Sequence, residues 1–257
     1  MKLYYRELGE GKPLIIQHGL FGSSDNWLTV SKAFAVDHKV YLLDARNHGQ
    51  SPRSEDFNYK AMSDDLMEFI QEHHIEKPMI IGHSMGGKML MRFMKDHPDF
   101  DAAYVVADIS PRYYPRHHDE ILNGLNDLDI ATLTSRQEAD ERLQPFVPEL
   151  STRQFLLKNL YKTQEGTFAW RLNLPVITRE IENIGEALGE ETTISKPVLF
   201  IRGEKSDYIR EKDEALIRKI FTNARINTIQ GSGHWIQAEK PAEFVADVKQ
   251  FMQETGF

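Results

Sequence analysis

The sequence predicts an α/β protein: a mostly parallel central sheet flanked by helices, interrupted by a helical insertion. Three observations predict it. Short apolar runs alternate with longer amphipathic ones through the first 110 residues, the same alternation returns after residue 195, and strand signals vanish in between. With 257 residues, 40% of them hydrophobic, the chain can build one domain of this kind around a large core.

The strands come first. "PLIIQHG" (13–19), "KVYLLDA" (39–45), "PMIIGHS" (78–84) and "AAYVVADIS" (102–110) are continuous apolar runs, as expected of strands buried on both faces. Helices separate them. "YKAMSDDLMEFIQEHH" sets Met62, Leu66, Phe69 and Ile70 on one face, and "GGKMLMRFMKDHP" stops at Pro98. After residue 195 come "KPVLFIRGE" (196–204), a charged helix near 211–220, "ARINTIQGSGH" (224–234) and "KPAEFVADVKQFM" (240–252), where Pro241 suits a first helical turn. Residues 1–110 and 196–257 therefore form the core, and 111–195 read as a helical cap, with patterns such as "RQEADERLQPF" and "STRQFLLKNLY".

Charge and composition narrow the partners. Lys and Arg total 31 against 39 Asp and Glu, a formal charge of -8 with no long basic run, so nucleic acid and anionic membrane surfaces are not expected partners. A small molecule is. No apolar run reaches the roughly 20 residues of a membrane span, and Glu7 and Glu10 break up the start of the chain, which predicts a soluble, cytoplasmic protein. The absence of cysteine removes disulfides, thiolate catalysis and cysteine-ligated metals.

The chemistry centres on "GHSMGG". Gly82-His83-Ser84-Met85-Gly86 fits GxSxG where a predicted strand turns into a predicted helix, the context in which a strained serine is exposed as a nucleophile. Small residues two positions either side let the chains approach, and the helix start aims its free amides, Met85 first, at a developing oxyanion. A serine needs a base, and His234 in "GSGHW" directly follows the last predicted strand. The loop "QHGLFGSSDNW" supplies the second oxyanion donor, assigned to the Leu20 amide ahead of Phe21, while His18 reads as a structural residue holding that loop. Asp44 reads as structural too, fixing Arg46 and the turn after it. The adjacent pair His117-His118 lacks a spaced carboxylate and makes no convincing metal site.

"HGLFGS", "DARNHGQSP", "GHSMGG" and "GSGHW", in this order, resemble the α/β-hydrolase superfamily across nearly the whole chain. Arg46-Asn47-His48-Gly49, "RHHDEI" and "HWIQAEKP" resemble more narrowly its YbfF-type acyl-ester hydrolases. The resemblance implies that Ser84 attacks an ester or thioester carbonyl, that His234 serves as base and then acid, and that water resolves an acyl-enzyme. It leaves two candidates for the carboxylate that orients His234. Asp207 in "RGEKSDYI" occupies the superfamily's usual place; Asp108 in "VVADISP" matches the narrower pattern and is preferred, with Ser206 as a further hydrogen-bond partner.

The expected function is therefore a serine hydrolase, free of metal and cofactor, acting on esters or thioesters of short to medium acyl chains. Phe21, Tyr113, Trp170 and Trp235 are the expected substrate contacts, with Tyr114, Phe155 and Leu174 as further lining. Rival readings are carbon–carbon bond hydrolysis or perhydrolysis on the same triad, and a slow-turnover ligand receptor. Epoxide and haloalkane chemistry would need an aspartate where Ser84 stands.

Overall fold

The computed structural model describes residues 1–257. In chain order the first half comprises β1 (Tyr5–Leu8), β2 (Lys12–Gln17), α1 (Leu28–Phe34), β3 (His38–Leu43), α2 (Tyr59–Glu72), β4 (Met79–His83), α3 (Met85–Asp96) and β5 (Ala103–Ala107). Then follow α4 (Asp119–Asp127), α5 (Arg136–Leu143), α6 (Leu150–Leu157), β6 (Leu160–Lys162), β7 (Phe168–Trp170) and α7 (Leu174–Arg179). The last part contains β8 (Val198–Gly203), α8 (Glu214–Ile220), β9 (Ala224–Ile229), α9 (Ile236–Glu239) and α10 (Pro241–Thr255).

Seven strands form one sheet in the order β1-β3-β2-β4-β5-β8-β9, parallel throughout except for β1, which runs antiparallel to β3. Side chains alternate across it. Ile15, Ile80, Tyr104 and Phe200 enter one apolar cluster, while their neighbours Leu14, Ile16, Ile81, Val105 and Leu199 enter the other. Burial on both faces is why these strands read as unbroken apolar runs.

Two features depart from the sequence expectations. β1 was hidden because "YREL" is a short edge strand with no fully buried residue. Residues 111–195 hold helices and also the β6–β7 hairpin, whose three-residue strands are too short to show alternation.

The insertion has no separate core. Leu122, Leu125, Leu143, Leu156, Trp170 and Ile177 belong to the same cluster as Met89, Phe93 and Leu66 beneath them. Polar contacts fasten it too: Asn159 Nδ2 donates to the Phe21 carbonyl at 2.7 Å, Asn173 Nδ2 to Asn47 Oδ1 at 3.0 Å, and the Tyr59 hydroxyl to the Ile184 carbonyl at 2.7 Å. Lys88 of α3 donates to the carbonyls of Arg112 at 2.5 Å and Glu186 at 2.6 Å, tying the segment that leaves β5 to the one that returns towards β8. Burial pushes this ammonium down to about 7, and the neighbouring Arg112 adds to the fall.

Candidate active site

The register of the sheet sets the site. His83 pairs with Ala107, so Ser84 and Asp108 leave neighbouring strands at one level. The Ser84 amide donates to the Ala107 carbonyl at 2.9 Å, and the Asp108 amide to the Ile201 carbonyl at 2.8 Å, carrying the strand pairing one residue past each strand end. There both chains turn sharply: Ser84 sits at φ 52°, ψ -115°, and Asp108 at φ 51°. Positive φ in residues that bear a Cβ is strain that the surroundings must hold in place.

Packing explains how Ser84 is held. A Cβ on Gly82 would lie 2.4 Å from the Gly86 carbonyl oxygen, and one on Gly86 would lie 2.5 Å from that of Gln17 and 2.7 Å from that of His18. Both glycines therefore let backbone pass against backbone, which drives the serine outward at the mouth of α3.

His234 arrives on the loop after β9. Its Nδ1 lies 2.7 Å from Asp108 Oδ2, and the Asp108 carboxylate is wholly buried. A carboxylate only accepts, so Nδ1 carries the proton and Nε2 keeps its lone pair. Asp108 takes two more hydrogen bonds, from the Gly203 amide to Oδ1 at 3.1 Å and from the Ser206 hydroxyl to Oδ2. Asp207 stands elsewhere: its side chain is 88% exposed and pairs with Arg210 Nε at 3.2 Å.

Two neighbours of His234 carried no role in the sequence reading. The Tyr208 ring stacks on the imidazole, centroids 4.0 Å apart and planes 20° from parallel. Its hydroxyl lies 2.8 Å from His117 Nε2, and its carbonyl accepts from the Tyr114 hydroxyl. His83, the variable residue of GxSxG, places Nε2 2.8 Å from the His234 carbonyl. No spacing rule could reveal this contact between residues 151 positions apart in sequence.

The loop after β2 is built on buried histidines. His18 Nδ1 lies 2.7 Å from the Gly19 carbonyl while Nε2 accepts from the Ala45 amide at 2.9 Å; His48 Nδ1 lies 2.9 Å from the Arg46 carbonyl while Nε2 accepts from the Phe21 amide at 3.2 Å. Each is a neutral bridge between backbone groups. Burial lowers His18 to about 4; for His48 and His83 burial, aided by adjacent histidines, lowers the value to about 3. Phe21's amide is thus engaged, whereas Leu20's amide donates to no protein group. The Met85 amide opens α3, where no intrahelical acceptor exists. Asp44 fixes the backbone of this region, accepting from the Ser24 amide at 2.6 Å and the Gln50 amide at 2.8 Å. The partner of Arg46 is Asp65 instead, through two hydrogen bonds of 2.7 and 2.9 Å.

Ser84 and His234 border one cavity of about 570 Å³, with Phe21, Phe155 and Trp235 in its walls. His118 lines it too; burial, with His117 and His234 nearby, lowers this imidazole to about 3. Four residues expected in the lining lie away from it, of which Tyr114 borders a smaller adjoining cavity instead. Tyr113 is an exposed residue on the outside, because the extended segment turns Tyr114 inward, where its hydroxyl accepts from the Ser110 amide at 2.9 Å. Trp170 in β7 and Leu174 in α7 are buried in the shared apolar core and do not reach the cavity. No group of three or more His, Asp or Glu side chains converges as a metal site requires, and no helix is long and apolar enough to cross a membrane.

A serine at a strained strand-to-helix turn, a buried carboxylate at the next strand's end and a histidine after the last strand define the α/β-hydrolase class. The family model described as the alpha/beta hydrolase fold matches residues 12–241, and the chain belongs to this family. Several of its relatives are named as esterases or lipases. It is 38% identical over 253 residues to the sn-1-specific diacylglycerol lipase ABHD11 of Danio rerio, covering 95% of this chain and 80% of the relative. It is 35% identical over 245 residues to Esterase YbfF of Escherichia coli strain K12, covering 94% and 93%. Among solved structures, a marine microorganism esterase matches with a TM-score of 0.94 and 40% identity, over 97% of this chain and 99% of that one. These relationships put the chain among the carboxylic ester hydrolases.

Proposed function

We propose that this enzyme hydrolyses carboxylic esters, with thioesters as the sulfur analogues, through an acyl-enzyme on Ser84. The observation that carries the reading is the hydrogen bond between His234 Nδ1 and buried Asp108, beside a cavity that Ser84 also borders. Ser84 Oγ gives its proton to His234 Nε2 as it bonds to the substrate's carbonyl carbon, and the carbonyl π pair moves onto oxygen. The free amides of Leu20 and Met85 hold that oxyanion. Its collapse breaks the bond to the leaving oxygen, which takes the proton from His234 and departs as the alcohol. Water then gives a proton to His234 and attacks the acyl carbon; Ser84 Oγ leaves with that proton, and the carboxylic acid is released. Asp108 acts throughout by fixing the tautomer and facing the imidazolium with negative charge.

The insertion, residues 111–195, acts as a cap: α4 and α6 supply Ile121 and Phe155 to the cavity that Ser84 borders. The test is hydrolysis of p-nitrophenyl esters together with labelling by a fluorophosphonate. Ser84→Ala should abolish both while the fold, followed by circular dichroism, stays intact. Labelling of a folded Ser84→Ala protein would sink the assignment. Stoichiometric labelling of the wild type without turnover would favour a ligand receptor, and cleavage of carbon–carbon or peracid substrates in preference to esters would favour those chemistries on the same residues.

A further inference from the structure

Ser84, Leu20, His117, His118 and Tyr208 border two adjoining cavities of very different size, one of about 570 Å³ and one of about 30 Å³. Met85 borders only the small one, and His234 only the large one. If Ser84 and His234 act as proposed above, this asymmetry fixes how a substrate must lie. The tetrahedral carbon carries Ser84 Oγ, the oxyanion, the leaving oxygen and the acyl chain. The oxyanion belongs at the Leu20 and Met85 amides. The leaving oxygen must lie within hydrogen-bond reach of His234 Nε2, on the side of the large cavity. The acyl chain takes the remaining direction, away from the histidine, towards the small cavity.

We propose that the enzyme is selective for esters joining a short acyl group, about two to four carbons long, to a bulky amphipathic alcohol. A chamber of about 30 Å³ holds only a few atoms the size of a water molecule. One side of it suits an alkyl group, while Arg116, His117 and His118 border the other. Met85, Ile109, Ile181 and Ile184 line it, and the hydroxyls of Tyr59 and Tyr114 beside them already donate to the carbonyls of Ile184 and Tyr208.

The large cavity fits the other end of the substrate. Phe21, Phe155 and Trp235 give it aromatic walls, with the Phe155 and Trp235 rings 5.4 Å apart. Gln154 of α6 and Lys158, which caps its C-terminus, are exposed and with Glu239 make its rim polar. An alcohol that is apolar near the ester and polar at its far end matches this lining.

Two substrate series test the assignment. With the leaving group fixed as p-nitrophenol, kcat/KM should fall roughly tenfold or more from butanoate to octanoate. With the acyl group fixed as acetyl, kcat/KM should rise roughly tenfold or more from the ethyl ester to the 2-naphthylethyl ester, whose alcohols are similar leaving groups. Octanoate turned over as well as butanoate, or no gain from the naphthyl group, overturns the proposal. Ile184→Ala enlarges the small chamber and should raise the octanoate-to-acetate ratio roughly threefold; an unchanged ratio in the folded variant also overturns it. Should that variant not fold, the two wild-type series decide alone. Ser84→Ala separates the two levels of the argument. Turnover that survives it refutes the serine reading itself, whereas turnover that is lost, in an enzyme preferring octanoate, refutes only the chamber assignment.

Discussion

Acidification from about pH 7 to about pH 5.5 should remove about 5 kcal/mol of folding stability, through four histidines that the fold keeps neutral. His18, His48, His83 and His118 are lowered from 6.5 to about 4, 3, 3 and 3, burial being the largest cause in each case. The sign follows from proton counts. Between about pH 6.5 and pH 4 the unfolded chain binds protons that the folded chain refuses, so stability is full above the unfolded value and declines as pH falls. Each site changes stability by about 1.4 kcal/mol per pH unit once the unfolded histidine is protonated, and four act together. Against a typical total of about 5–15 kcal/mol, that is enough to unfold a marginal domain. Urea midpoints followed by circular dichroism at pH 7.5, 6.5, 5.5 and 5.0 measure it, and His48→Gln should remove about a quarter of the slope. A midpoint that stays flat down to pH 5.0 would refute the reasoning, since these imidazoles would then take up protons inside the folded protein.

Asp108→Asn should lower kcat by up to about 10⁴-fold, because the amide turned to His234 favours the wrong tautomer. Asp207→Asn should change kcat by less than about twofold, its carboxylate being exposed and paired only with Arg210; steady-state kinetics on one ester compares the two. Tyr208→Leu should reduce kcat about three- to tenfold, by removing the ring stacked on the imidazolium formed in the transition state, while Tyr208→Phe keeps the stack and most of the rate. Gly86→Ala should destabilise the fold by about 1–3 kcal/mol in thermal unfolding, since its methyl group meets two backbone carbonyls.

Legibility in the sequence tracked how local each cause is. The buried strands were readable because burial on both faces leaves contiguous apolar runs. Ser84 and His234 stood out as candidates because Ser84 directly follows β4 and His234 lies on the loop after β9, the sheet edge where parallel strands expose side chains. The candidate acid was harder to choose, as Asp108 and Asp207 both follow strand ends and only the fold shows that Asp108 is turned inward. Asp108 gains its place from a positive φ at the end of β5 and from Gly203 and Ser206 across the sheet. Tyr113 and Tyr114 are indistinguishable in sequence, yet an extended backbone must send neighbours to opposite sides. His83 and Tyr208 act on His234 from other elements, and no spacing signal records such contacts.

The grip of Lys88 on the Arg112 and Glu186 carbonyls has a consequence for rebuilding the enzyme. Acceptors bound to a single nitrogen at 2.5 and 2.6 Å lie within about 5 Å of each other, so the loop between them is closed at its base whatever its contents. Exchanging that loop for one of another length adds little closure entropy. Ser84, Asp108 and His234 all lie outside the splice, so a roof grafted at these two residues that also covers the apolar surface around Met89, Phe93 and Leu66 would leave the three side chains proposed for the chemistry in place.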